Sequence, residues 1–123
     1  MVDRTKQQMY FVVSDIRVLN FPVSTGNPAT PTPNGEFSVK KMLPFMRYTG
    51  VDYDFKNVKW NMMFFPRYYL HTAYWHNDFG KRTRSHGCVN MSEKDAGVLY
   101  TLVTVGMPVK IVGETPKKLY VGK

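Results

Sequence analysis

The apolar residues of this chain come in short runs of strand length, and only one segment has the periodicity of a helix. The runs are rich in aromatic and β-branched residues and are bounded by turn residues; they cover residues 8–13, 16–23, 36–39, 58–65, 68–72 and 107–112. Aromatic residues make up 15% of the 123 residues, which favours a packed sheet over a helical bundle. Because no repeat or linker divides the chain, the sequence predicts one mostly β domain over residues 1–123.

The predicted helix covers about residues 92–105. Ser92 is a good N-cap, and Asp95 three residues later completes a capping-box pattern. The residues that follow at helical spacing offer one apolar face: Ala96, Leu99, Tyr100 and Val103. Gly106 is predicted to end this helix.

One other segment is predicted as a connection between strands. Residues 25–35 contain three prolines and two glycines, so this stretch cannot join a central strand and is expected to be an extended loop. A polar stretch at residues 48–57 precedes the two predicted strands at 58–65 and 68–72. Trp60, in an aromatic run, is most simply a core residue.

The charge of the chain is strongly basic, with a formal net charge of +8 at pH 7. The basic residues are spread in small groups, and no zinc-finger, helix-turn-helix or RNA-binding signature is present, so nucleic acid is not the expected partner. Apolar runs of only a few residues predict no membrane-spanning helix. No signal peptide is visible, because Asp3 and Arg4 interrupt any early apolar region.

The only cysteine, Cys88, lies close in sequence to all three histidines: His71, His76 and His86. A nearby imidazole can act as base or cation toward a thiol, and the helix predicted to begin after residue 92 also favours a thiolate. Gly87 permits the backbone conformation that points successive N–H groups at one spot, as an oxyanion hole requires. These features indicate a nucleophilic cysteine.

Two other interpretations of this region remain open from the sequence alone. A lone cysteine is usually an inert core residue. The side chains of His71, His76, His86 and Cys88 could also hold a zinc ion, although their spacing matches no common structural zinc motif. On its position, His76 is expected to be a loop or substrate-rim residue and not a second base.

The segment Ser85-His86-Gly87-Cys88-Val89-Asn90, with His71 upstream, resembles the signature of the L,D-transpeptidase (YkuD-like) catalytic domain. Further similarity to this family covers nearly the whole chain, in residues 2–10, 21–26, 30–37 and 106–111. One departure is the spacer between His71 and Ser85, whose 13 residues are at the short end for the family.

The resemblance implies a mixed β-sandwich or barrel-like core with one main helix, and acyl transfer on peptidoglycan stem peptides. Cys88 would be the nucleophile and His71 the general base. Gly87, with the backbone of His86 and Cys88, would form the oxyanion hole. The expected reaction releases D-Ala from a stem tetrapeptide through a Cys88 thioester, and an amine of another stem then forms a 3→3 cross-link.

The resemblance also implies substrate-binding roles around the thiol. Ser85, His86 and Asn90 would shape the pocket, and Trp75 would form a wall of the donor site. Tyr53 would lend its hydroxyl to the oxyanion, and the backbone carbonyl of Thr72 would orient His71.

The expected partner is therefore the anionic peptidoglycan, outside the cytoplasmic membrane, with no cofactor and no metal, and with the protein as a monomer. Two alternatives keep the same fold. Water in place of the amine would make the site an L,D-carboxypeptidase, and a non-catalytic module would only bind the wall. Such a module has no need of the intact Cys88 and His71.

Overall fold

The computed structural model describes residues 1–51 and 53–115. Within these residues the chain forms nine strands and one helix. In chain order they are β1 (Val2–Asp3), β2 (Gln8–Val13), β3 (Ile16–Pro22), β4 (Gly35–Ser38), β5 (Lys41–Gly50), β6 (Tyr53–Phe65), β7 (Tyr68–Thr72), β8 (Val89–Met91), α1 (Glu93–Leu102) and β9 (Pro108–Val112). The predicted mostly β fold with one main helix is confirmed.

The strands form two mixed sheets. One has the order β3-β2-β1-β9-β4, with β1 parallel to β9 and its other pairs antiparallel. The other has the order β5-β6-β7-β8, with only the last pair parallel among the described strands. The parallel pair aligns His71 with Asn90, and this alignment positions the site described below.

One hydrophobic core joins both sheets and the helix. Its fully buried side chains include Val2 and Ile111 from the first sheet, and Met62 and Phe64 from the second. Ala96 and Leu99 of α1 are buried in the same cluster and Tyr100 packs against it, as their spacing predicts. Trp60 lies at the margin of this core and is only partly buried.

The helix is shorter than predicted. Ser92 is the N-cap, and its hydroxyl accepts the Asp95 N–H at 3.1 Å, but the last helical residue is Leu102 and not residue 105. Val103 leaves the helix in an extended conformation and buries its side chain in the core. Gly106 (φ +96°) then serves the turn into β9 and does not end the helix.

The stretch 48–57 is not a simple connection, because β5 and β6 run through it as a long hairpin. Pairs across the two strands stabilise it: the Arg47 guanidinium donates twice to the Asp54 carboxylate at 2.8 Å, and Tyr48 lies opposite Phe55. Single-residue strand propensity does not include such pairs, so the polar composition of this stretch did not indicate a strand.

The proline-rich segment is a loop, as predicted, and it ties the sheets together. Ser24 exchanges both backbone hydrogen bonds with Asn90, at 2.9 and 2.8 Å. The buried side chain of Gln7 donates to the Arg4 carbonyl and to the Thr25 hydroxyl, both at 2.7 Å, and accepts the Thr25 N–H at 2.9 Å.

Among the described residues, no helix is long and apolar enough to cross a membrane.

The Gln7 contacts predict a specific loss of stability. Gln7→Leu leaves the Thr25 N–H and the Arg4 carbonyl buried without these partners, so the free energy of unfolding should fall by about 2–4 kcal/mol. Denaturant unfolding measures this change. The control is Gln8→Leu, at a partly exposed neighbouring position, which should cost less than about 1 kcal/mol. Equal losses in the two variants would contradict the proposed role of Gln7.

Candidate active site

The parallel pair β7–β8 brings together residues that are far apart in the chain. His71 lies beside Asn90, and Cys88 comes one residue before β8, next to the backbone of Tyr69. Since side chains alternate along a strand, Tyr69 and His71 share one face of β7. Cys88 and His71 both line a cavity of about 700 Å³.

The His71 ring is fixed in one orientation by its own neighbour. Its Nδ1 lies 2.5 Å from the carbonyl oxygen of Thr72. Because a carbonyl only accepts, Nδ1 carries the proton and Nε2 keeps its lone pair. Burial lowers the pKa of His71 to about 4, against the opposing effect of this hydrogen bond. His71 is therefore neutral near pH 7, with Nε2 free to accept a proton.

The Cys88 thiol is also neutral at rest. Burial raises its pKa to about 11, although the Tyr69 N–H partly offsets this, and the sulfur lies 3.9 Å from the carbonyl oxygen of Arg67. From the sequence, a nearby histidine and the helix terminus are expected to favour a thiolate, and the burial of the sulfur opposes that effect. Strand β8 separates Cys88 from the helix capped by Ser92, and a helix terminus loses its effect beyond the first turn.

The backbone before Cys88 is held by a set of short contacts. Gly87 adopts φ +123°, and a Cβ at this position would lie 2.5 Å from the Tyr68 ring. The Gly87 N–H donates to Ser85 Oγ at 3.1 Å, the Ser85 hydroxyl donates to the Cys88 carbonyl, and the Gly87 carbonyl accepts from Thr32 at 2.7 Å. Ser85 thus organises the loop, and the Gly87 amide is occupied within it.

Aromatic rings form one wall of the cavity. His86 stacks on Tyr53 at 4.6 Å, Tyr53 stacks on Phe55 at 5.6 Å, and Phe55 stacks on Trp75 at 3.6 Å between centroids. The structure therefore gathers three of the predicted site residues, Tyr53, Trp75 and His86, on one wall. Their roles stay predictions. Sequence reasoning missed Phe55, because it lies in a polar stretch that showed no strand pattern.

Tyr48 is a second residue that the sequence analysis missed. Its ring stacks on His71 at 4.4 Å with an interplanar angle of 28°. Its hydroxyl donates to Asn61 Oδ1 at 2.6 Å, and the Asn61 amide is held in turn by the carbonyls of Leu43 and Val58. Burial raises the pKa of the Tyr48 hydroxyl, so the phenol stays neutral. The alternation of residues along β5 is the signal that could have found it.

His76 lies in the loop that leads back to Cys88, and its ring contacts the buried Asn90 of β8. The His76 Nδ1 accepts the Asp78 N–H at 3.0 Å, so Nε2 carries the proton of the neutral ring. The Asn90 side-chain amide lies 3.2 Å from Nε2 and accepts this proton when it presents its oxygen, which otherwise has no partner among the described residues. Burial lowers the pKa of His76 to about 4, Arg84 adds to this, and Asp78 opposes it. His76 thus contacts the loop, as its position in the sequence suggested.

The zinc alternative has no support in the arrangement of the side chains. Across residues 1–51 and 53–115, no group of three or more His, Cys, Asp or Glu residues is placed to hold a metal ion.

Comparisons with known proteins agree on one family. The model of the L,D-transpeptidase catalytic domain (YkuD) matches residues 1–111. L,D-transpeptidase 1 of Mycobacterium tuberculosis (strain H37Rv) is 31% identical over 108 residues, which cover 75% of this chain and 41% of that relative. The chain therefore spans less than half the length of this curated relative.

Solved structures share the fold. An L,D-transpeptidase from Mycobacterium smegmatis superposes with a TM-score of 0.84 at 25% identity, covering 90% of this chain and 56% of that one. An L,D-transpeptidase solved in complex with imipenem gives a TM-score of 0.83 at 23% identity, covering 90% and 56%.

The neutral thiol predicts how Cys88 reacts with a simple alkylating reagent. Because only the thiolate reacts with iodoacetamide, the alkylation rate should rise about tenfold per pH unit between about pH 7 and 9, without a plateau. Mass spectrometry of samples quenched over time measures it. A rate that levels off below about pH 8 would indicate a preformed thiolate and contradict the raised pKa.

Proposed function

Because the chain belongs to the family of L,D-transpeptidase catalytic domains, we propose that it is a cysteine-dependent L,D-transpeptidase acting on peptidoglycan stem tetrapeptides. The family match confirms the resemblance and the enzyme class inferred from the sequence. The observation that carries the proposal is the cavity shared by the Cys88 thiol and by a His71 ring whose Nδ1 is fixed by Thr72.

Acylation begins with proton transfer coupled to attack. The His71 Nε2 takes the thiol proton while the Cys88 sulfur attacks the carbonyl carbon between the third and fourth stem residues. A neutral pair avoids two buried charges at rest, and charge develops only as the reaction proceeds. The Tyr48 ring, stacked on His71, stabilises the imidazolium that forms.

The tetrahedral oxyanion needs N–H donors beside the sulfur. Since the Gly87 N–H is occupied by Ser85, we assign this role first to the Cys88 N–H and second to the Tyr53 hydroxyl on the aromatic wall. Collapse of the intermediate breaks the carbon–nitrogen bond, and D-Ala leaves with the proton from His71. A thioester to Cys88 remains.

The second half of the reaction uses the same base. His71 takes a proton from the amine of an acceptor stem, the nitrogen attacks the thioester, and a 3→3 cross-link forms as the thiol is restored. Water in the place of the amine gives a carboxypeptidase. The net charge of +8 suits an anionic polymer, and we place the activity outside the cytoplasmic membrane, where peptidoglycan lies.

The substrate assignment predicts a clear difference between donors. Intact-mass analysis of the protein with a stem tetrapeptide should show a thioester on Cys88 and free D-Ala, whereas a pentapeptide should react poorly. Cys88→Ser is the control that should form no thioester. Release of the fifth residue from the pentapeptide would indicate D,D chemistry and reject the proposal, and D-Ala release without cross-linked product would favour the carboxypeptidase.

The role of His71 predicts both a rate and a pH profile. His71→Ala should slow single-turnover acylation by imipenem by about 10²–10⁴-fold, the usual effect of losing a positioned base. His76→Ala should cost much less, because its ring contacts the loop. The parent rate should stay level between about pH 6 and 9, since a His71 with a pKa near 4 is already deprotonated there. An unaffected His71→Ala protein beside an inactive His76→Ala protein would reverse the assignment.

A further inference from the structure

The cavity that holds Cys88 carries positive charge on its lining. Arg82 and Arg84 both line it, and no Asp or Glu of the described residues does. The two arginines differ in their partners. Arg84 Nε lies 3.5 Å from the Asp78 carboxylate, whereas the Arg82 guanidinium has no hydrogen bond or ion pair with the described part of the chain. Among the described residues, Arg82 is therefore the cation of this lining that has no partner.

A second polar group beside it also lacks a partner. Thr83 lines the same cavity and is only 4% exposed, yet its hydroxyl makes no hydrogen bond with residues 1–51 or 53–115. A buried hydroxyl without a partner is unfavourable, and a ligand with an acceptor oxygen in the cavity would satisfy it. Asn27 contributes a third polar side chain to the lining.

Backbone hydrogen bonds connect the segments that carry these side chains. Ahead of Arg82, the Gly80 N–H bonds to the Val23 carbonyl at 2.8 Å. After Thr83, the N–H groups of residues 84 and 85 both bond to the Thr25 carbonyl at 3.3 Å. The Asn27 N–H bonds to the Ser85 carbonyl at 2.9 Å. The three lining residues thus lie on segments that are hydrogen-bonded to each other.

We propose that Arg82, Thr83 and Asn27 form a subsite for a carboxylate of the acyl donor. The planar guanidinium can bind both oxygens of a carboxylate, and the hydroxyl and amide groups can donate to the same oxygens. The inference rests on the proposed function for the identity of the donor. Next to the bond that is cleaved, a stem tetrapeptide offers two such groups, the terminal carboxylate of its fourth residue and the side-chain carboxylate of a diamino acid at position three.

The test measures binding separately from chemistry. In the full chain with Cys88→Ala, calorimetry compares three tetrapeptides: one with both carboxylates free, one with a terminal carboxamide, and one with a side-chain carboxamide. Amidation of the recognised carboxylate should weaken binding by about 10–100-fold, as expected for hydrogen bonds to a charged group. The peptide that shows this loss identifies the source of the carboxylate.

Variants connect that loss to the subsite. Arg82→Gln should weaken binding of the free peptide to the same extent and remove the penalty for amidation, and Arg82→Lys should fall between it and the parent. Thr83→Val should weaken binding several-fold. Lys81→Gln removes one positive charge from the exposed neighbouring position outside the cavity lining and should bind as the parent does.

The outcomes separate this inference from the proposed function. If Arg82→Gln keeps the parent's preference for the free carboxylate, or if Lys81→Gln weakens binding as much as Arg82→Gln does, the subsite assignment is wrong. Acylation of the parent protein by the tetrapeptide is measured in a separate experiment, as thioester formation. A thioester that forms without dependence on Arg82 rejects the subsite alone, and Arg82-dependent binding without any thioester rejects the transpeptidase alone.

Discussion

The parallel pairing of β7 with β8 is the interaction on which the whole site depends. It sets His71 beside Asn90 and brings Cys88 to the backbone of Tyr69, although these residues come from separate parts of the chain. Parallel strands need a long connection, and here that connection is the segment that also supplies Trp75, Arg82 and the loop before Cys88. One crossover thus positions Cys88 and supplies much of the cavity around it.

The parts of this arrangement with local signals could be predicted from the sequence. Strands such as β2 and β7 were found with their observed bounds, because apolar runs and turn residues mark both ends. The Ser92 cap was found for the same reason. Cys88 and His71 were singled out by residue type and by resemblance to a family, and the structure places both on one cavity.

What could not be predicted depends on contacts between distant residues. The long hairpin β5–β6 is held by cross-strand pairs such as Arg47 with Asp54, which no single-residue propensity records. Tyr48 belongs to the site because its ring stacks on His71. Predicting this contact requires the register of β5, β6 and β7. The neutral state of Cys88 likewise follows from burial, which composition and spacing do not reveal.

The neutral state of the Cys88 thiol has a consequence for its resistance to oxidation. Oxidants and soft metal ions react with the thiolate, so a thiol whose pKa is near 11 offers them little of the reactive form. A preformed thiolate in the same position would be exposed to peroxide and to adventitious copper in any oxidising surroundings. Burial of the sulfur therefore slows oxidative damage to Cys88, the residue to which the proposed reaction assigns the attack.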